Sequence, residues 1–277
     1  MRLGGPVLEK VGDPSAWIAA LQRRGYRAAF CPVGAEADHE TIRAYADAAA
    51  EADVVIAEVG AWSNPLSPDE ATRKAAMCKC QQQLALADEI GARCCVNITG
   101  SRGERWDGPH PDNLTPETFD MIVESVRAIV DAVRPRRTTY ALETMPWMYP
   151  DSAQSYLDLL EAIDRPRCAV HLDPVNLVCS PQRYFGNGAL LRECFRLLGP
   201  RIVSCHAKDI VLRETLTTHL DEACPGRGAL DYAVYLEELS RLGPDVPLML
   251  EHMHAESDYE EGAAYIRSVA GRVGVAL

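Results

Sequence analysis

Short apolar segments alternate with longer segments of helical period along the whole chain. Apolar stretches of strand type occupy residues 2–5, 27–31, 54–59, 93–98, 138–143, 168–173, 202–206 and 247–251. Segments with apolar residues at helical spacing occupy residues 15–24, 40–51, 68–90, 116–133, 153–163, 188–198, 230–242 and 258–272. Eight strand–helix repeats predict a closed parallel barrel, because right-handed crossovers place consecutive parallel strands side by side. The expected fold is α/β: a single (β/α)8 TIM barrel domain over residues 1–277.

Length and charge agree with this fold and disfavour nucleic acid as a partner. A barrel of this type needs about 250 residues, and the chain has 277, of which 47% are hydrophobic and 25% charged. The formal net charge of −12 repels phosphate backbones. We therefore expect a small-molecule partner and no nucleic acid.

Location is inferred from what the sequence lacks. No window reaches the roughly 18 uncharged apolar residues of a membrane span, and residues 1–9 do not resemble a signal peptide. None of the ten cysteines forms a C-x-x-C pair. This pattern favours small buried side chains in a reducing compartment over disulfides or a cysteine zinc site. The expected location is cytoplasmic, without a membrane partner.

Three connections that follow strands are longer than a barrel needs. They cover residues 60–67, 99–115 and 207–229. Long loops after barrel strands lie at the catalytic face, where they bind or cover ligands. At the end of the first loop, Ser67, Pro68 and Glu70 have the spacing of a capping box, so the sequence predicts Ser67 as a helix N-cap.

The last four predicted strands each end in a residue able to bind a metal: Glu143, Asp173, His206 and Glu251. Each alone is explained as well by a helix cap, an ion pair or a hydrogen-bonded barrel residue. Together they converge at one mouth of a parallel barrel, where buried carboxylates are costly unless paired or coordinated. Three carboxylates and one imidazole suit Mn²⁺, Mg²⁺ or Co²⁺ better than a structural zinc. The sequence predicts one divalent metal ion, with Mn²⁺ favoured and Zn²⁺ also compatible.

These strand ends resemble the xylose isomerase-like TIM barrels, the superfamily of sugar phosphate isomerases and epimerases and of AP endonuclease 2. The resemblance covers essentially the whole chain. It is most specific in Leu142-Glu143, His171-Leu172-Asp173-Pro174, His206-Ala207-Lys208-Asp209, the stretch 225–232 (PGRGALDY) and Leu250-Glu251-His252. The resemblance implies that Glu143, Asp173, His206 and Glu251 bind the metal. It also implies that Glu143 and Glu251 are catalytic and exchange protons with the substrate.

Other polar and aromatic residues are candidates for contact with substrate. Asn176 stands where ketose epimerases of this family have a histidine, and Lys208 and Arg213 follow the metal histidine, where those enzymes carry an arginine. Asn97 ends the fourth predicted strand, and the long loops contribute tryptophans that could cover a sugar face or simply pack. The substrate-binding candidates are Asn97, Trp62, Trp147, Asn176, Lys208 and Arg213.

The resemblance implies a metal-dependent isomerase or epimerase acting on a small carbohydrate. Proton transfer at the carbon alpha to a carbonyl would give an enediolate, and Glu143 and Glu251 would act as acid and base. Return of the proton to the same carbon gives epimerisation, and return to the neighbouring carbon gives isomerisation. An inosose-type dehydratase is the alternative. An endonuclease IV-like phosphodiesterase and a non-catalytic sugar-binding barrel are less favoured, and a homo-oligomer is compatible with the sequence.

Overall fold

The computed structural model describes residues 1–277 and contains a closed barrel of eight parallel strands. The strands in chain order are β1 (Arg2–Gly4), β2 (Ala28–Phe30), β3 (Val55–Gly60), β4 (Cys94–Asn97), β5 (Thr139–Glu143), β6 (Cys168–Leu172), β7 (Ile202–Ala207), β8 (Asp209–Arg213), β9 (His219–Ala223) and β10 (Pro247–Leu250). The barrel order is β1-β10-β7-β6-β5-β4-β3-β2, and β8 and β9 form a separate two-stranded sheet. The predicted (β/α)8 TIM barrel is confirmed.

The helices surround this barrel. They are α1 (Pro14–Arg24), α2 (His39–Glu51), α3 (Glu70–Ile90), α4 (Pro116–Val133), α5 (Ala153–Ile163), α6 (Pro181–Phe185), α7 (Asn187–Leu198), α8 (Tyr232–Ser240) and α9 (Glu256–Val273). Neighbouring long helices pack on one another from α1 to α5, and then through α7, α8 and α9. None of them combines the length and apolar character that a membrane span requires.

One large apolar core of 61 buried residues joins the strands to the helices. Two smaller clusters consist of strand residues alone: Ala28, Ala57 and Met249, and separately Cys94, Val96 and Ala141. Because they are separate from the helix-facing core, these clusters lie inside the barrel. Apart from Met249, their side chains are small, which leaves room for the polar residues above them.

A β-bulge changes the direction of side chains on β3. Ala29 of β2 pairs with Ile56, but the next residue, Phe30, pairs with Glu58, so Ala57 is an extra residue on β3. A bulge of this type aims two consecutive side chains at the same face. Ala57 and Glu58 therefore both point into the barrel, where strict alternation would have turned one of them outward.

The long connection over residues 207–229 is not an irregular loop. It contains the antiparallel hairpin of β8 and β9, in which Asp209 pairs with Ala223 and Arg213 with His219. The connection over residues 99–115 contains a short 3-10 helix, Pro111–Leu114. Both follow a barrel strand and therefore lie at the mouth formed by the carboxyl ends of the strands.

The predicted N-cap of α3 is wrong by two residues. The helix begins at Glu70, and the Asp69 carboxylate accepts a hydrogen bond from the Thr72 N–H at 2.7 Å. The Ser67 hydroxyl instead accepts one from the Asp69 N–H at 3.2 Å. Ser67 and Asp69 are both residue types that cap helices, and Asp69, which lies nearer to the helix, is the one that caps it.

Candidate metal centre

Four side chains converge at the carboxyl ends of four neighbouring strands. Glu143 ends β5, Asp173 follows β6, His206 lies in β7 and Glu251 follows β10, and one ligand atom from each lies within 4.8 Å of the other three. His206 Nδ1 is 3.0 Å from Glu143 Oε1, 2.8 Å from Glu251 Oε1 and 3.9 Å from Asp173 Oδ2. The structure therefore brings together all four residues that the sequence singled out.

The chemistry of these donors fits a divalent cation. The buried atoms Asp173 Oδ2 and Glu251 Oε1 have no partner in hydrogen-bond geometry, although Lys208 Nζ lies 2.6 Å and 3.0 Å from them. Burial alone would lower the pKa of His206, but Glu251, Glu58 and Glu143 raise it well above its ordinary value in the metal-free protein. When His206 is neutral, as a metal ligand must be, the three carboxylates and one ammonium leave two negative charges uncompensated. A buried cluster with this charge is costly, and a divalent ion would neutralise it. Oxygen donors with one imidazole are typical ligands for Mn²⁺ or Mg²⁺.

Lys208 belongs to this cluster rather than to an outer substrate pocket. Its side chain is buried, and Nζ donates to Glu222 Oε1 at 2.8 Å in addition to its contacts with Asp173 and Glu251. Burial alone would lower the pKa of Lys208, but Asp173 and Glu251 outweigh it and raise the pKa well above its ordinary value. In the metal-free protein these contacts favour Lys208 as an ammonium that donates hydrogen bonds.

The β8–β9 hairpin adds one residue that the sequence did not single out, Glu222. Glu222 lies on β9, and its second carboxylate oxygen is 3.0 Å from His252 Nδ1. Burial alone would raise the pKa of Glu222, but His252 and Lys208 lower it to about 2. Glu222 is thus a carboxylate that links the buried Lys208 to His252 at the rim of the site.

Two of the family motifs, His206–Asp209 and residues 225–232, contact each other at the base of this hairpin. Asp209, from the His206–Asp209 string, accepts hydrogen bonds from the N–H groups of Ile210, Gly226, Gly228 and Leu230 at 2.8–3.1 Å. A Cβ on Gly228 would lie 2.3 Å from Asp209 Oδ1, so only glycine fits there. The pair of motifs therefore closes the hairpin and holds Glu222 beside Lys208.

A polar group supports the cluster from inside the barrel. Glu58 Oε1 is 3.2 Å from His206 Nε2, and Glu58 Oε2 is 2.7 Å from His171 Nε2 and 3.2 Å from Ser204 Oγ. Burial alone would raise the pKa of Glu58, but His171 and His206 lower it to about 2. Glu58 is thus a buried carboxylate that fixes the far side of the His206 ring. The signal was available, because Glu58 is the one acid within an apolar strand.

A cavity of about 700 Å³ opens above the four residues. Its lining includes Glu143 and Glu251, together with Trp62, Trp106 and Trp147 from the loops that follow β3, β4 and β5. The Trp147 Nε1–H donates to the Asp107 carbonyl at 2.8 Å and so joins two of these loops. A Cβ on Gly60 would lie 2.4 Å from Trp62 Nε1, so this glycine leaves room for the indole. Both tryptophans named among the substrate-binding candidates therefore share a cavity with the two glutamates.

Asn176 also lines this cavity. It lies in the short 3-10 helix Val175–Leu177, where Nδ2 donates to the Thr144 carbonyl at 3.0 Å and to Glu143 Oε1 at 3.4 Å. Its Oδ1 accepts from Lys208 Nζ at 3.4 Å. The asparagine thus contacts a metal-ligand candidate and faces the cavity.

Two of the substrate-binding candidates lie away from the cavity. Arg213 is at the far end of β8, more than half exposed, where it pairs with Asp221 at 2.8 Å. Asn97 is fully buried, accepting from the Ser63 N–H at 3.2 Å and donating to the Ser63 carbonyl at 3.3 Å. Neither residue lines the cavity in this structure, and a role for either in substrate binding stays a prediction. The hairpin carries Arg213 outward, and the Asn97 amide holds the loop that follows β3.

Asn97→Ala should lower the free energy of unfolding by about 1–3 kcal/mol, because it leaves the backbone groups of Ser63 unpaired. We expect the affinity for Mn²⁺ to stay unchanged, because Asn97 contacts none of the four ligand candidates. Urea denaturation and calorimetric Mn²⁺ titration measure the two effects. Wild-type stability with weakened Mn²⁺ binding would contradict the structural role.

Comparison with known proteins places the chain in a family. The family model described as xylose isomerase-like TIM barrel matches residues 18–269. The chain belongs to the xylose isomerase-like TIM barrel family. The resemblance drawn from the strand-end motifs is thereby confirmed. No curated protein matches the chain significantly.

Solved structures with the same fold include several enzymes. A D-psicose 3-epimerase with D-tagatose from Clostridium cellulolyticum H10 has a TM-score of 0.72 and 16% identity, and the match covers 100% of both chains. The probable 3-DHS dehydratase from Bacillus anthracis has a TM-score of 0.72 and 16% identity over 98% of this chain and 100% of that one. A xylose isomerase-like TIM barrel protein from Mycobacterium smegmatis in complex with magnesium has a TM-score of 0.70 and 15% identity over 98% and 97%. At 15–16% identity, these matches show only that the fold is shared.

Proposed function

We propose that this protein is a divalent-metal-dependent isomerase or epimerase that moves a proton next to the carbonyl of a small carbohydrate. The observation that carries the proposal is the placement of Glu143 and Glu251. Both belong to the cluster whose ligand atoms lie within 4.8 Å of one another, and both line the same cavity of about 700 Å³. Two carboxylates that face one substrate space beside one cation are suited to acid–base exchange.

Glu143, Asp173, His206 and Glu251 would hold the metal, with Mn²⁺ as the favoured ion. When bound, the ion would polarise the substrate carbonyl and stabilise negative charge on its oxygen. One glutamate removes the proton from the carbon alpha to the carbonyl, which gives an enediolate, and the other glutamate returns a proton. Lys208 favours the ionised forms of Glu251 and Asp173, although burial raises the pKa of Asp173 to about 6. Asn176 orients Glu143 through its amide.

Four solved structures with this fold bear on the choice of reaction. Epimerases for D-psicose and L-ribulose and a 3-keto-D-glucoside 4-epimerase share this barrel, which supports proton transfer on a sugar. A dehydratase also shares it, and loss of hydroxide after the same proton abstraction is the alternative reaction. Acidic residues line the cavity and the chain carries a net charge of −12, which opposes an endonuclease.

Solvent deuterium exchange tests the proposal. We expect chelated protein supplied with Mn²⁺ to exchange the proton alpha to the carbonyl of at least one ketose, aldose or inosose in a screen. Chelation should abolish the exchange, and Mg²⁺ or Co²⁺ should restore it to differing extents. NMR of the sugar separates epimer, isomer and dehydrated product. A protein that binds sugars but neither binds Mn²⁺ nor catalyses exchange would be a non-catalytic binder, contrary to the proposal.

A further inference from the structure

The cavity above Glu143 and Glu251 is larger than one sugar ring requires. A hexose displaces on the order of six waters, roughly 200 Å³ at about 30 Å³ per water. The cavity has about 700 Å³, within the range of sites that enclose ligands of drug size, about 300–1,000 Å³. A monosaccharide held at the glutamates would therefore leave more than half of this space for a second group.

The wall of this remaining space is aromatic. Three separate loops each supply one tryptophan to the cavity: Trp62, Trp106 and Trp147. Trp106 and Trp147 are 38% and 39% exposed, although large apolar side chains are usually buried. Exposed indoles that converge on one cavity mark a surface that binds an apolar or planar group.

The charges of the lining argue against a phosphate or carboxylate as this second group. Five acidic residues line the cavity: Glu58, Asp107, Glu143, Glu222 and Glu251. Arg105 is the one arginine in the lining, and its Nε donates to Asp107 Oδ1 at 2.7 Å. The buried Lys208 is surrounded by carboxylates, and His252 Nδ1 lies 3.0 Å from Glu222 Oε2. Even with a divalent ion between Glu143 and Glu251, an anionic group would meet Asp107 and Glu222 without a free cation to pair with.

We infer that the substrate is a neutral glycoside that carries a keto group on its sugar ring: this ring faces Glu143 and Glu251, and the apolar or aromatic second ring stacks on the three tryptophans. The inference rests on the proposed function, because it assigns the sugar ring to the two glutamates. It adds the substrate class, which the four ligand candidates alone do not specify.

Binding of unreactive probes tests the inference without any turnover. We expect phenyl β-D-glucopyranoside or phenyl β-D-galactopyranoside to bind Mn²⁺-loaded protein about tenfold more tightly than its methyl counterpart, by calorimetry. Glucose 6-phosphate should bind more weakly than the methyl glucoside. Trp106→Ala and Trp147→Ala should each reduce the preference for the phenyl glycoside. Trp17→Phe is the matched control, because Trp17 is buried on α1 outside the cavity and should keep the preference.

Equal affinities for phenyl and methyl glycosides, or no binding of either, would overturn the inference. So would a preference that survives both tryptophan-to-alanine changes. These outcomes are distinct from failure of the proposed function. Loss of metal-dependent deuterium exchange together with an intact phenyl preference would contradict the proposed reaction, whereas exchange without the preference would contradict the substrate class.

Discussion

Glu143→Gln and Glu251→Gln should each lower kcat by at least about 10²-fold, the usual scale for loss of a positioned acid or base. Glutamine keeps an oxygen ligand and nearly the same shape, but it removes the basic carboxylate. Both glutamates line the cavity beside the same histidine, so both changes act where the substrate would react. Steady-state kinetics with saturating Mn²⁺ gives kcat, and calorimetry gives the Mn²⁺ affinity of each variant.

Asp173→Asn and His206→Asn are the matched controls for metal binding. Both residues are fully buried, and neither contributes to the cavity lining, so they should act mainly through weaker Mn²⁺ binding. Excess Mn²⁺ should therefore partly restore their activity. If excess metal rescued all four variants equally, the glutamates would be ligands only. The proton would then have to travel through another group.

The two glutamine variants should also differ from each other. An epimerase that uses one base on each face of the substrate carbon needs a different glutamate to deprotonate each epimer. Each single variant should then lose deuterium exchange from one epimer and keep it with the other. Loss of exchange from both epimers in both variants would contradict this division of roles.

The barrel was predictable because its evidence is periodic. Eight apolar segments alternate with eight helical ones, and the parallel strands of such a fold are buried on both faces. The hairpin of β8 and β9 was not predictable by the same reasoning. β9 carries polar and exposed residues at His219–Ala223, and the apolar run of β8, residues 210–212, is only three residues long.

The candidate metal centre followed from one rule, that a buried acid or histidine at a strand end needs a partner. The rule brought together Glu143, Asp173, His206 and Glu251 because parallel strands end at one mouth. It missed Glu58 because this residue lies within β3 and points inward through a bulge at Ala57. Register shifts of this kind depend on pairing with the neighbouring strand, which a single sequence does not show.

Position in a loop did not predict which side chains face the substrate space. Trp62 and Trp147 line the cavity, whereas Arg213 lies at the exposed end of a hairpin. Asn97 ends β4 as expected, but its amide satisfies a neighbouring loop. Contacts between loops set the direction of these side chains, and such tertiary contacts cannot be predicted from the local sequence pattern.

The contact between Glu58 and His206 determines which nitrogen of His206 faces the metal candidates. A carboxylate only accepts hydrogen bonds, so both imidazoles beside Glu58 must carry a proton on Nε2. The Nδ1 lone pair of neutral His206 is then directed at Glu143 and Glu251, where a metal ion would be held. Carboxylates behind a ligating histidine commonly set its tautomer and its basicity in this way.

Glu58→Leu should therefore weaken Mn²⁺ binding about 10- to 100-fold, the usual scale for loss of such a supporting carboxylate. It should also lower the free energy of unfolding by about 1–3 kcal/mol for each imidazole N–H left unpaired. Glu58→Gln should be milder, because the amide oxygen can accept from His206 while His171, whose Nδ1 has no partner, changes tautomer. His171→Asn is the control: it removes the other contact of Glu58 and should destabilise the protein with little change in Mn²⁺ affinity.

Calorimetry measures the Mn²⁺ affinities of these variants. ¹⁵N NMR of the histidine rings reports the His206 tautomer in the folded Gln variant even if the Leu variant fails to fold. A His206 ring without a proton on Nε2 in metal-free wild type, or wild-type Mn²⁺ affinity in folded Glu58→Leu, would show that Glu58 does not position His206.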